Sequence, residues 1–323
     1  MKALFLGNVA ADTANGIRAE LPPDLDVEVV AEPRELTPQS AATADILVTN
    51  IWRKDYPGAP RVRFVQSVAT GIELIDLTAL PRGAPVCNAF GHETAIAEYV
   101  LMVMLVWAHR FREIESGFRT HGSWAPSWVQ SGAPHGEIRG QTVGIVGVGR
   151  VGIEVAKRAA AFGCRIVGAN RSPREPSYGV ERVYPLAELD RMLPECDVVV
   201  LATALGPGTE GLIDAHRLAL MKPTALLVNI ARGTIIDEEA AYAALRDRRI
   251  GGAALDVWWQ YPTADEPQRR GSRLPFHELP NVIMTPHNSG WTAGMVRRRW
   301  DEIADNLGRF VRGDPLVNIV TTT

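Results

Sequence analysis

The sequence predicts an α/β protein of two doubly wound parallel-sheet domains with a cleft between them, and three observations predict it. Short apolar runs alternate with helical or turn segments along most of the chain, the pattern of strands covered by helices on both faces. The 323 residues suffice for two sizeable cores. Only the second set of runs opens on a glycine fingerprint, GVGRVG at 147–152, so the two halves are built alike but equipped differently.

The first five runs fall at 3–6, 27–30, 46–48, 64–68 and 85–87. Residues 1–7 carry one lysine, and Asp12 interrupts the apolar run too early for a secretory leader, so they read as a first strand. Residues 98–118 read as one long helix whose apolar stretch, 99–108, is too short for a membrane span and so belongs to a core. Residues 119–140, with Trp124 and Trp128, lack a period; long irregular segments are usually functional or interfacial, and this one reads as a dimerisation arm. Six further runs follow at 142–146, 165–169, 198–203, 226–230, 253–257 and 282–284. A last helix, 292–312, places Val296, Trp300, Ile303, Leu307 and Phe310 on one face, which must pack on something and is expected to cap the first domain. The expected domains are therefore 1–98 with 291–323, for substrate, and 99–290, for a dinucleotide.

Residues 142–172 carry the functional signal. A strand, a tight turn at Gly147, Gly149 and Gly152, a helix and a second strand follow one another. Such glycines let the backbone approach a pyrophosphate lying at a helix N-terminus; both domains read as Rossmann-like or flavodoxin-like, and the first, without the fingerprint, is not expected to hold the dinucleotide. An acidic residue reading the ribose 2′-OH is expected about 20 residues on, but Asn170, Arg171 and Ser172 stand there. These neutral and cationic donors suit a 2′-phosphate, so NADP(H) is preferred, with NAD(H) possible.

A formal net charge of −3, with lysines and arginines spread along the chain, predicts neither a nucleic-acid nor a membrane partner. Cys87, Cys164 and Cys196 are odd in number and set in apolar contexts, which reads as reduced core thiols of a cytoplasmic protein. No metal is expected.

Several segments together resemble the D-isomer-specific 2-hydroxyacid dehydrogenases, a family that includes formate and phosphite dehydrogenases. They are QSVATGIELIDL (66–77), CNAFGHETAIAEYVL (87–101), HGSW (121–124), the glycine turn, LPECDVVVLATALGPGTEGLI (193–213), MKPTALLVNIARGTIIDEEA (221–240), GAALDVW (252–258) and TPHNSGWT (285–292). The resemblance implies NAD(P)-dependent hydride transfer between a cofactor and a small 2-oxo or 2-hydroxy acid, in a homodimer.

Arg232 closes a buried run before Gly233, where a planar guanidinium can clamp a carboxylate bidentately; the resemblance assigns it the substrate's carboxylate and carbonyl, and a structural ion pair with Asp237 or Glu238 is the alternative. His287 ends another run, and histidine is suited to give an alkoxide its proton near neutral pH; it resembles the family's general acid. The family's partner to that histidine is a glutamate before a proline, five positions after the aspartate of the LDV segment. Here that position is Tyr261, as formate dehydrogenases have a neutral glutamine. Glu266, also before a proline, is the alternative partner if 262–265 form an inserted loop.

The resemblance assigns the cofactor Thr70, Arg150, Val151, Asn170, Thr203, Ile230, Ala231, Asp256, His287 and Gly290, with Asp256 bonding the carboxamide. It assigns Ala69, Thr70 and Gly71 to the substrate through backbone N–H groups, and Trp52 and Arg53 lie where they would face the same cleft. Trp258, Trp259 and Trp291 read as an aromatic wall or as core. Ala204 replaces the family's proline and Ser289 its glycine. The expected activity is reduction of a 2-oxo acid or its reverse; oxidation of a formate-like or phosphite-like anion, and a nucleotide-sensing corepressor-type protein, are the alternatives.

Overall fold

The apolar runs become strands whose central members are buried from end to end, as a sheet covered on both faces requires. The structure is a computed structural model describing residues 1–172, 174–263 and 265–323. It divides into two units, Met1–His92 with Thr292–Thr323, and Glu93–Trp291. All of the helix that begins at Glu93 belongs to the second unit.

In the first unit, β1 (Lys2–Leu6), β2 (Asp26–Val30), β3 (Ile46–Thr49), β4 (Phe64–Ser67) and β5 (Pro85–Cys87) form a parallel sheet in the order β5-β4-β3-β1-β2. Helices α1 (Asn8–Ile17) and α2 (Pro38–Thr43) cross between them.

The second unit opens with α3 (Glu93–Ala108) and α4 (Phe111–His121). The expected single helix is thus two, bent by 62°. Arg110 is the cause: it takes a left-handed conformation, φ 50°, and becomes the residue before α4, breaking the α3 hydrogen-bond ladder. α3 is largely buried, whereas α4 buries no residue. Among the described residues no single helix is long and apolar enough to cross a membrane.

There follow β6 (Thr142–Val146), α5 (Arg150–Ala161), β7 (Arg165–Asn170), β8 (Val180–Pro185), α6 (Leu189–Met192), β9 (Val198–Leu201), α7 (Ala215–Leu220), β10 (Leu226–Asn229), α8 (Glu238–Arg246), β11 (Gly252–Leu255) and β12 (Val282–Met284). The sheet is parallel, ordered β12-β11-β10-β9-β6-β7-β8. From β6 the chain builds outward to β8, then returns to lay β9 on the other side of β6. That reversal makes the carboxyl ends of β6 and β9 a topological switch point, where ligands bind in such sheets.

The last helix, α9 (Ala293–Arg312), returns to the first unit, and β13 (Ile319–Thr322) adds an antiparallel edge to β5. The Thr292 hydroxyl caps α9 by accepting from the Met295 N–H. Trp300, Ile303, Leu307 and Phe310 join Ala14, Ile17 and Phe64 in one cluster. Gly16 is required there, since a Cβ on it would lie 2.2 Å from the Trp300 ring.

Candidate active site

The glycine turn joins β6 to α5. Gly147 has φ +100°, and a Cβ on it would meet the Ala202 carbonyl and the Thr203 nitrogen at 2.7 Å, so a side chain is barred twice, by conformation and by the adjacent end of β9. At Gly152 a Cβ would lie 2.3 Å from the Gly147 oxygen, the close packing of helix on turn. At Gly149 none of the described residues lies within 4 Å of such a Cβ. That glycine does not serve internal packing; its open face before the N-terminus of the 12-residue α5 fits an approaching pyrophosphate.

The end of β7 braces this turn. Asn170 Oδ1 accepts the Val148 N–H at 2.8 Å, and Arg174 donates to the Val148 carbonyl at 2.6 Å. Arg171, Ser172 and Arg174 are exposed, and none is a carboxylate. Arg150 pairs with Glu93 at 3.3 Å, while Val151 packs against the core over β6. Thr203 is half-buried, and Ile230 and Ala231 are buried at the end of β10. Rigidity that Ala204 would withhold is supplied by Thr209, whose buried hydroxyl donates to the Ala204 carbonyl and accepts the Gly206 N–H, both at 2.9 Å.

Three strand ends bring the polar groups together. After β10, the buried Asn229 amide donates to the Arg232 carbonyl at 2.9 Å and its oxygen accepts the Ala231 N–H at 3.1 Å, turning the chain so that Arg232 leaves the strand. Gly233 lets that turn abut β11: a Cβ there would lie 2.2 Å from the Trp258 carbonyl carbon. After β11, Asp256 is fully buried. Its Oδ1 accepts from Thr285 Oγ1 at 2.6 Å and the Asn288 N–H at 3.0 Å, and its Oδ2 from the Ser289 N–H at 3.0 Å. These bonds bracket His287, which takes φ +56°, an uncommon conformation that surroundings must hold.

Tyr261 reaches His287: its hydroxyl lies 2.9 Å from Nδ1 and receives a long 3.5 Å contact from the Trp258 N–H. Burial lowers the His287 pKa below its ordinary 6.5; the Asp256 charge opposes this and the Arg232 guanidinium reinforces it. The residue keeps one face open to solvent, which limits the shift. Burial raises the Tyr261 pKa, with Arg232 and Asp256 acting on it in opposite senses, so it stays a neutral phenol. Arg232, Asp256, Tyr261 and His287 are therefore one electrostatic cluster.

Glu266 is elsewhere. It ends a surface turn with Thr263 and pairs with Arg269 at 3.2 Å. Asp237 caps α8, and Glu238 is bonded by Ser272 and Arg273. Trp52 corrects an expectation: it is 1% exposed and packs edge-on against Tyr56 in the first unit's core, because three residues beyond β3 the chain bridges Ile75 and turns the indole inward. Arg53 beside it is exposed. Of the loop N–H groups expected to meet a carboxylate, that of Ala69 already donates to Ser67 Oγ at 3.1 Å, leaving those of Thr70 and Gly71; Thr70 Oγ1 donates to the Ala89 carbonyl. Trp258 and Trp259 belong to the second unit's core, Trp259 stacked on Phe276, whereas Trp291 is 63% exposed. Gly290 lies in the turn closed by the Trp291 N–H on the Asn288 carbonyl.

Sequence reasoning missed Tyr99, Thr285, Asn229 and Arg174. Tyr99 hid inside an apolar helical run, and only its hydroxyl, 2.7 Å from Thr285 Oγ1, connects it to this site.

Comparison with known proteins fits this geometry. Residues 101–289 match the model of the D-isomer specific 2-hydroxyacid dehydrogenase NAD binding domain. A glyoxylate reductase of Thermococcus gammatolerans is 36% identical over 302 residues, 90% of this chain and 87% of that protein. The chain belongs to this family. A glycerate dehydrogenase of Methylorubrum extorquens is 32% identical over 260 residues, 79% of this chain and 78% of that protein. A solved D-isomer specific 2-hydroxyacid dehydrogenase family protein of Aeromonas salmonicida superposes with TM-score 0.81 at 26% identity, covering 99% of this chain and 98% of that one. This dehydrogenase is accordingly an NAD(P)-dependent oxidoreductase acting on CH–OH groups.

Proposed function

We propose that this dehydrogenase reduces a short 2-oxo acid to the D-2-hydroxy acid, with NADPH preferred to NADH. The reading rests on one observation above others: Tyr261 meets His287 at 2.9 Å within the electrostatic reach of Arg232. The bound dinucleotide would supply the hydride to the carbonyl carbon. Arg232 holds the substrate's carboxylate through a charge-assisted fork. His287 gives a proton from Nε2 to the carbonyl oxygen, and Tyr261 holds Nδ1 so that Nε2 faces the substrate. When the ring is cationic, Nδ1–H donates to the phenol; when it is neutral, the phenol donates to Nδ1 and leaves the proton on Nε2.

NADPH preference is supported by Arg171, Ser172 and Arg174 around the end of β7, which offer cationic and neutral donors to a 2′-phosphate. The relatives named glyoxylate reductase and glycerate dehydrogenase favour small oxo acids. The exposed aromatics Phe118, Trp124 and Trp128 support a homodimer formed through residues 119–140. The neutral Tyr261 favours one second reading, oxidation of a formate-like or phosphite-like anion, which needs no proton from His287.

A panel of glyoxylate, hydroxypyruvate and phenylpyruvate with NADPH and NADH tests the proposal. Turnover of one of them, faster with NADPH, is expected. Binding of NADPH with no turnover across the panel would turn the reading towards a sensor, and turnover of formate or phosphite with NAD(P) alone towards the second reading.

A further inference from the structure

We propose that Tyr99 is a positioning residue for His287: acting through Thr285 and the Asp256 carboxylate, its hydroxyl holds the left-handed turn that aims the imidazole. The inference rests on the role given to His287 above.

The donor order is fixed by chemistry. A carboxylate only accepts, so the single Thr285 proton goes to Asp256 Oδ1, at 2.6 Å. Thr285 Oγ1 can then only accept from Tyr99, whose hydroxyl lies 2.7 Å away. Tyr99 keeps that proton at any working pH, since burial pushes its pKa up to about 12. The chain of donors therefore runs one way, from the core helix α3 to the catalytic turn.

Each link also does mechanical work. Thr285 is held at its carbonyl by the Trp258 indole, at 2.9 Å, and at its hydroxyl by Tyr99 and Asp256. Asp256 in turn takes the N–H groups of Asn288 and Ser289. The residues on either side of His287 are thus tied to one buried carboxylate, and that carboxylate to α3. Tyr99 itself is 8% exposed and embedded in the second unit's core, so it is a fixed anchor. Without its hydroxyl, the Thr285 oxygen loses a buried donor and the side chain is freed to turn away from Asp256. Among the described residues, the groups facing His287 in this unit are Tyr261, Asp256 and Arg232; none of these replaces that anchor.

The test compares Tyr99→Phe, Thr285→Val and the double variant with the wild-type chain, each with cofactor. Loss of one buried hydrogen bond predicts that kcat for the accepted 2-oxo acid falls roughly tenfold in Tyr99→Phe, while KM and cofactor Kd stay within about twofold. Thr285→Val should lose as much, and the double variant no more than the worse single, because one chain is being cut. The His287 imidazole resonances, assigned with His287→Gln, should broaden and titrate at a different pH in Tyr99→Phe. A kcat within about twofold of wild type with a superimposable His287 titration would overturn the proposal, as would losses confined to KM or cofactor Kd. If Tyr99→Phe does not fold, Thr285→Ser against Thr285→Val makes the same comparison: activity retained by serine and lost by valine is expected, and equal activity refutes the chain. Should the wild-type chain turn over no 2-oxo acid, the functional reading fails, yet the His287 titration still tests Tyr99.

Discussion

Tyr261→Glu places a carboxylate where a neutral phenol now meets His287 Nδ1 at 2.9 Å. Two unit charges about 4 Å apart interact by about 4 kcal/mol at an effective dielectric near 20, which corresponds to about three pKa units. Tyr261 is 43% exposed, and solvent screening weakens such pairs severalfold, so a rise of about one unit in the His287 pKa is expected. The sign follows from the proton count. Reduction uses the imidazolium, so kcat/KM is high below the His287 pKa and falls as pH rises through it. In the wild-type chain burial holds that pKa below 6.5, and the falling limb should lie on the acid side of neutrality. In Tyr261→Glu it should move upward by the same amount, about one unit, and reduction at pH 7 should rise severalfold if binding is unchanged. Tyr261→Phe, which removes a hydrogen bond without adding charge, should lower kcat about three- to tenfold with little movement of the limb. The assay is kcat/KM for reduction from pH 5 to 9 at saturating cofactor. A falling limb at the same pH in wild type and Tyr261→Glu would refute the idea that this contact sets the acid.

Three further outcomes are expected. Gly149→Ala should leave the melting temperature unchanged, since its Cβ meets none of the described residues within 4 Å, yet weaken dinucleotide binding at least tenfold in a fluorescence titration; equal affinity would move the pyrophosphate elsewhere. Arg171→Ala should weaken NADPH about tenfold and NADH little, and equal losses for both cofactors would refute 2′-phosphate recognition by Arg171. Arg232→Lys should cost about a hundredfold in kcat/KM for the oxo acid, because a point charge does not reproduce the fork, while Glu266→Gln should stay within twofold of wild type; a loss in Glu266→Gln alone would reverse the assignment made for Tyr261.

What the sequence determined by itself were the features carried by local pattern. Buried parallel strands are continuous apolar runs, so the strand series was legible, as were the glycine turn and the placement of Arg232, Asp256 and His287 at strand ends. The misses share a physical cause. β8 and β13 are edge strands with half or more of their residues exposed, so no long apolar run announces them, and the α3–α4 break turns on the backbone of Arg110, which nothing in its side chain foretells. Trp52 follows β3 at the level expected for a ligand contact, but its bridge to Ile75 turns the indole into the core. Tertiary structure alone decided which neighbour His287 has: the chain places Tyr261 in register and offers Glu266 as the alternative across an inserted loop, and only the path after β11 puts one at 2.9 Å and the other in a surface turn. It also decided that Tyr99 belongs to the site: a phenol in an apolar helix is core until a threonine 186 positions away offers it an oxygen. Pattern along a chain reports burial and turns, whereas hydrogen-bond partners distant in sequence exist only once the strands have fixed their ends.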